Sequence, residues 1–491
     1  MSFNTLNFIL FLSLVIIVYF LVGQKFRNPF LLLASYFFYA YYDIPLVAFL
    51  VLITLFNYGI ALMIDKGDNK KIWLITGIVV NVGVLAFYKY LNFSFRILNS
   101  IFSKVGFGGR LPLFSFIVPL GISFIIFSVL SYIVDVYKGK IKAEKNLVKF
   151  ALYVSFFPKV VQGPIVKARD MLNQLDEKHH FDMQRFREGS LMVMWGMFMK
   201  MVLADRIAIP VNLVYGSVDT FAGTSLIIAT FLFALQLYFD FAGYSLIAVG
   251  TFKILGFRVN ANFKQPYLST SVGEFWRRWH ISLNEWLMEY IYIPLGGSRV
   301  GNFRYILNVL ITFGLSGLWH GSNGGYIVWG LLNGVYILGE KYIGPKTDTK
   351  KAEKKANPIL VFLGRIKVFL LVSISWIFFR AATTTASMKV INGMITRLNY
   401  IPTIEYIESF IAGEKGIFLG LNQHAWTVII VFLIIAIIVD LLVQRYDLID
   451  KVANAPIWIR WPIFMAIMII IIIYGMYGFG YNASNFIYSQ F

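Results

Sequence analysis

Cysteine is missing altogether from these 491 residues. That excludes disulfides, thiolate metal sites and a cysteine nucleophile, and it leaves the compartment open. Charge is scarce as well: Asp, Glu, Lys and Arg make up 14% of the chain against 58% hydrophobic residues, where a soluble domain carries about a quarter charged. With a mean hydropathy of +0.70, a soluble globular protein is excluded. Acids are scarcer than bases, 25 against 44. The resulting +19 does not point to nucleic acid, because the Lys and Arg residues sit in short loops between apolar runs. That placement follows the positive-inside rule and favours contact with anionic membrane lipid. The five histidines include no i, i+4 pair near a carboxylate, so no metal site is expected. No GxGxxG, P-loop, CxxC or HExxH is present, and no internal repeat is evident.

What the chain does contain is apolar runs long enough to cross a bilayer, recurring from end to end. Leu6 to Val22 is the first, and Lys25 and Arg27 follow it directly. It reads as an uncleaved anchor with its N-terminus outside. Further spans are expected near Pro29–Tyr42, Pro45–Met63, Ile72–Tyr88 and Pro112–Val134, with a long outside loop from Asn92 to Leu111. Cytoplasmic loops are predicted at 23–28, 65–71, 137–146 and 341–357, where the basic residues gather. From Leu147 the pattern becomes irregular: Phe156-Phe-Pro-Lys-Val-Val-Gln-Gly-Pro164 carries two prolines in an apolar setting. A broken helix at membrane depth must be buried in protein or line a cavity. Leu191–Leu203, Thr224–Gly250, Tyr326–Gly339, Ile359–Phe379, Trp426–Val443 and Pro462–Tyr477 complete the apolar runs, for a total of about 11–13 membrane segments. Asp240 interrupts the Thr224 run and is the acid that looks placed at depth. Packing in a polar network, by accepting hydrogen bonds or pairing with a buried Arg, and catalysis are both open for it.

The stretch Thr270 to Gly321 organises the rest. As one helix from Ser271 it begins with a capping box, Ser271 and Glu274. Trp276, Trp279, His280, Leu283, Leu287 and Tyr290 then form one aromatic stripe, with Arg277 and Arg278 pointing away. Pro294-Leu-Gly-Gly297 stops the helix, and the run Tyr305 to Trp319 delivers His320 beside Gly321. A lone histidine on such a face is usually a hydrogen-bonded core residue. Two in membrane-like surroundings favour chemistry. An imidazole in a low-water pocket suits a general base that takes a proton from a hydroxyl attacking a thioester. Lys264, Arg277, Arg278, Arg299 and Arg304 nearby suit either the phosphates of a nucleotide-like donor or anionic lipid.

These residues resemble the membrane-bound O-acyltransferases, most closely the bacterial branch of alginate and peptidoglycan O-acetylation proteins. The resemblance runs through most of the chain. It rests on Pro119-Leu-Gly-Ile-Ser-Phe124, Phe157-Pro with Gly163-Pro164, Leu237-Tyr-Phe-Asp-Phe-Ala-Gly-Tyr-Ser245, Phe275-Trp-Arg-Arg-Trp-His-Ile-Ser-Leu283, Tyr292-Ile-Pro-Leu-Gly-Gly297 and Gly317-Leu-Trp-His-Gly321. It implies an all-α polytopic membrane protein: a ring of tilted transmembrane and re-entrant helices around a central tunnel where a cytosolic donor and an outer acceptor meet. It implies His320 as the catalytic histidine and His280 as its partner, with Trp276, Arg277, Arg278, Trp279, Asn284, Trp319 and Asp240 around the substrate. It also implies acetyl-CoA, or another acyl thioester, as donor substrate without a bound cofactor, and a bacterial inner-membrane location. The departures are Gln162, where Val or Ala is usual, and Ser489, where an aromatic is common.

Residues 1–145 read as an N-terminal bundle, 146–340 as the catalytic core, 341–358 as a cytoplasmic linker, and 359–491 as C-terminal helices with an aromatic tail. On composition the tail is an interfacial anchor. Its Phe486-x-Tyr488-x-x-Phe491 spacing resembles a motif of this acyltransferase branch. That resemblance implies Tyr488 as a temporary acyl carrier to an extracytoplasmic SGNH-type transferase. Two other readings stay open. One is D-alanyl transfer for teichoic acid, which shares the fold and both histidines. The other is a transporter or flippase, for which a repeated pair of broken helices is missing.

Overall fold

The computed structural model describes residues 1–115, 118–161, 163–221, 223–343, 357–397 and 419–478. Helices are the only regular elements among the described residues. In lipid, an apolar chain satisfies its backbone groups within each segment only by coiling. The residues form two compact units, Met1–Phe186 with Thr251–Asn260, and Arg187–Gly250 with Ala261–Phe491.

The first unit contains α1 (Leu6–Leu21), α2 (Gln24–Ala40), α3 (Pro45–Lys66), α4 (Lys70–Lys104), α5 (Ile122–Tyr137), α6 (Leu147–Ser155), α7 (Phe157–Val160) and α8 (Ala168–Met171). Pro45 opens α3, where a missing N–H costs nothing, and Gly67 closes it in the left-handed conformation at φ 101°. Two expectations fail here. The loop placed at Asn92–Leu111 is helical as far as Lys104, because neither Gly nor Pro interrupts the chain before Gly106. α5 begins at Ile122 rather than Pro112, since Pro119 and Gly121 (φ 69°) delay it. The two-proline stretch is broken as expected, leaving α7 as one buried turn. Inside this unit the amides of Asn57 and Asn81 pair with each other at 2.8 and 3.1 Å, so α3 and α4 bury polar side chains without leaving them unmet.

In the second unit α9 (Met183–Met197) passes without a break into a wide, π-type stretch, Phe198–Ala204, and then into α10 (Asp205–Gly216). α11 (Gly223–Leu255), α12 (Val272–Arg278), α13 (Ile281–Leu287), α14 (Asn302–His320), α15 (Gly324–Tyr342), α16 (Pro358–Arg380), α17 (Thr384–Thr396), α18 (Gln423–Val443), α19 (Leu448–Ala453) and α20 (Ile457–Tyr474) follow. α17 was not foreseen. α14 and α15 are packed backbone to backbone: a Cβ on Gly317 would lie 2.2 Å from the Tyr326 carbonyl oxygen, and one on Gly330 equally close to that of Phe313.

Among the described residues six helices, α3, α4, α11, α16, α18 and α20, are long and apolar enough to cross a membrane, and α1 and α5 are shorter apolar helices. The chain is thus an all-α polytopic membrane protein. α20 has no buried residue, and Ile434 and Ile438 on α18, like Ile472 and Ile473 on α20, are exposed, as suits a surface wetted by lipid. Most of the expected linker (344–356), Gln162, and the tail from 479 with Tyr488, Ser489 and its flanking Phe residues lie outside the described residues.

Candidate active site

The aromatic stripe does not lie on one helix. α12 ends at Arg278, Trp279 is extended, and His280 takes a left-handed conformation (φ 44°, ψ 55°) before α13 begins. A non-glycine residue held there is strained and needs surroundings that fix it. Two asparagines do so. Asn284 Nδ2 donates to the carbonyls of Trp276 and Trp279 at 2.5 and 2.6 Å, which the break would otherwise leave unmet. The Asn262 carbonyl accepts from Ile281 N at 2.9 Å, and its Oδ1 accepts from Ser282 N and Oγ at 3.2 and 2.7 Å. Ahead of the break, Ser271 Oγ accepts from Glu274 N at 3.0 Å. Glu274 returns to Thr270 N (2.8 Å), one residue earlier than expected, and also holds Arg278 at 2.6 Å.

The break turns His280 toward the end of α14. Its ring lies 4.7 Å from that of Phe241, edge to face, and 6.2 Å from Trp319, whose ring is in turn 4.7 Å from His320. Trp319 is therefore a neighbour of both imidazoles. His320 packs edge-on against Trp329 (5.1 Å) and Phe379 (5.0 Å). Behind it Trp329 stacks on Trp376 at 5.4 Å, and Trp376 touches Trp276 and Trp279. Trp276 Nε1 donates to Asn333 Oδ1 at 3.3 Å. Both histidines are buried, 1% and 2% exposed, so little water shares their site. His280 lies outside the spanning helices, and burial pushes its imidazole down to about 3, which keeps it neutral.

In the same unit Asp240 sits on α11, against the π-type stretch. Lys200 Nζ lies 2.6 Å from Asp240 Oδ1 and 2.7 Å from Asp205 Oδ1, with all three side chains under 10% exposed. Asp240 thus pairs with a lysine, where hydrogen bonds or a buried arginine were expected. Nor is it the only acid at depth: Asp440 on α18 accepts from the Tyr238 hydroxyl at 2.9 Å.

Residues 31–380, more than half the chain, match the family described as MBOAT, membrane-bound O-acyltransferase family. The chain belongs to the membrane-bound O-acyltransferase family. It is similar to the probable alginate O-acetylase AlgI of Pseudomonas aeruginosa, 38% identical over 391 residues that cover 79% of this chain and 73% of that one. The peptidoglycan O-acetyltransferase of Helicobacter pylori is 32% identical over 428 residues, 80% of this chain and 79% of that one. The teichoic acid D-alanyltransferase of Bacillus subtilis matches only in part, 28% over 242 residues, 44% of this chain and 58% of that one. The protein is a membrane acyltransferase and an enzyme.

Within this acyltransferase the structure gathers His280, His320, Trp276, Trp279 and Trp319 in one aromatic cluster. Arg277 is exposed and Arg278 half-buried, and Lys264, Arg299 and Arg304 are exposed. Asn284 is spent on the backbone of the break. Residues that were not singled out as site candidates complete the cluster: Trp329 and Asn333 from α15, Trp376 and Phe379 from α16, and Asn262 beneath the break.

Proposed function

We propose that this acyltransferase takes an acetyl group from a cytosolic thioester, acetyl-CoA, and passes it across the bacterial inner membrane for O-acetylation of an extracytoplasmic polysaccharide. The observation that carries this reading is the pair of buried imidazoles that neighbour Trp319. It is supported by the O-acetylase and O-acetyltransferase names of relatives at 32–38% identity. The N-terminus faces outside, so that the basic loops, including the exposed Lys264, Arg277 and Arg299, meet the donor phosphates on the cytoplasmic side.

The acceptor oxygen attacks the thioester carbonyl carbon while His320 takes the hydroxyl proton. The tetrahedral intermediate then breaks its C–S bond, and the proton on His320 goes to the departing thiolate. Such proton transfer is worth ~10² to 10⁴ in rate. The neutral His280 positions the substrate or the opposite imidazole. Tyr488 is the first acceptor: its hydroxyl takes the acetyl group and yields it to an SGNH-type transferase outside. Membranes supplied with isotope-labelled acetyl-CoA should label the polysaccharide. Tyr488→Phe should abolish that label. Labelling only from an acylated carrier protein would overturn the donor assignment, and normal labelling by Tyr488→Phe would reduce the tail to an anchor.

A further inference from the structure

A cavity of about 310 Å³ lies in the second unit, and neither histidine lines it. Its size is at the lower end of the range for pockets that hold small ligands, roughly 300–1,000 Å³. Val439, Asp440 and Val443 of α18 form one wall, and Ile463 and Ile467 of α20 form another. It therefore sits between two helices whose outer faces carry the exposed isoleucines described above. Its inner end is formed by Tyr238, Ser245 and Asn262.

That inner end is polar in an unusual way. Asn262 is 1% exposed and Ser245 2% exposed. Among the described residues, neither Asn262 Nδ2 nor Ser245 Oγ has a hydrogen-bond partner. The amide orientation is fixed, because Asn262 Oδ1 accepts from Ser282 N and Oγ. The remaining end of Asn262 is therefore an N–H donor. Buried donors are almost always met, so an acceptor belongs there. The rest of the lining is nearly all hydrocarbon and aromatic. Its one acidic side chain, Asp440, is already met by the Tyr238 hydroxyl, and no Lys, Arg or His lines it to receive an anion. Phosphates and free carboxylates are thus disfavoured, and a neutral carbonyl on an apolar chain is favoured.

We propose that this cavity binds an acyl chain of a membrane glycerophospholipid, entering from the bilayer between α18 and α20. Its ester carbonyl accepts from Asn262 Nδ2, with Ser245 Oγ as a second donor. Asn262 also holds Ile281 and Ser282, so the bound lipid braces the break that carries His280. The assignment is independent of which acyl group the enzyme transfers.

The test uses the full chain in phosphatidylcholine nanodiscs doped with a phosphatidylcholine whose acyl chain carries a diazirine, followed by mass-spectrometric mapping of the photolabel. Label is expected at Met199, Val443 and Ile467 in addition to the lipid-facing Ile434 and Ile473. Ser245→Phe, which fills the cavity, should cut the cavity label at least tenfold while Ile473 labels as before. Asn262→Asp, which keeps the acceptor for Ser282 and removes the donor, should cut it several-fold. If Ser245→Phe does not accumulate in the membrane, Val443→Trp blocks the cavity from the α18 side and carries the same expectation. Label confined to Ile434 and Ile473, or cavity label unchanged in the filled variant, overturns the proposal. So does loss of the cavity label on adding acetyl-CoA, which would give the cavity to the donor. None of these readouts requires acyl transfer, so they stand apart from the proposed function.

Discussion

Two buried polar groups in the same unit make opposite use of the low-dielectric interior. At Lys200 the charges are paired within 2.7 Å, with Asp205 on one side and Asp240 on the other. At His280 and His320 the imidazoles face aromatic rings, and His280 is held neutral by burial. A charge that is already met can hold helices together, but it is poorly placed to exchange protons with a substrate. A neutral imidazole such as that of His280 carries no charge that must be met by a partner, and the two histidines are the groups proposed to carry the chemistry. The comparison separates two kinds of buried polar residue that look equally anomalous in a hydropathy profile.

Breaking the charged site should give the largest effect. Lys200→Met leaves Asp205 and Asp240 buried together without their amine. Removing one partner of a buried pair costs about 3–5 kcal/mol, against a total stability of about 5–15 kcal/mol. Folded protein recovered from membranes should fall sharply, as size-exclusion chromatography in detergent would show. Recovery equal to wild type would make the triad dispensable.

Gly317→Val tests the frame around the histidine site. Its side chain would collide with the Tyr326 carbonyl, so α14 and α15 must separate, at a cost of about 1–3 kcal/mol or more. A lower melting temperature together with reduced acetyl transfer is expected, because the same helix end carries His320.

The smallest effect concerns pH. The His280 imidazole lies near 3 in the folded chain and titrates at about 6.5 when unfolded. Below about pH 6.5 the unfolded chain therefore takes up the proton preferentially. The stability this group contributes is complete above that pH and declines as pH falls, by up to ~1.4 kcal/mol per unit. His280→Gln should show a shallower loss of thermal stability between pH 6.5 and 5 than wild type. Identical slopes would mean that the imidazole is already charged in the fold.

Much of this was legible in the sequence, and the misses have physical causes. Pro45, Gly67 and the Pro294-Leu-Gly-Gly297 stop acted as local signals, and both histidines stood out against an apolar background. The aromatic stripe from Trp276 to Tyr290 has helical spacing, but spacing cannot show that Trp279 and His280 leave the helix. That break depends on Asn262 and Asn284, which act through hydrogen bonds to the backbone. The partner of Asp240 was misread because Lys200 is delivered by a π-type stretch, where an extra residue shifts the register. Trp329 and Trp376 reach His320 from separate helices, and no periodicity in one segment reports a neighbour in another.

The central claim is that the histidine site performs chemistry without holding the fold together, and His320→Ala tests it most directly. Labelled acetyl transfer by the purified variant should fall at least ~10²-fold, the lower end of what general-base catalysis supplies. Its yield and melting temperature should stay close to wild type. A variant that folds normally and keeps more than about a tenth of wild-type transfer would contradict the account, since a general base is worth ~10² or more.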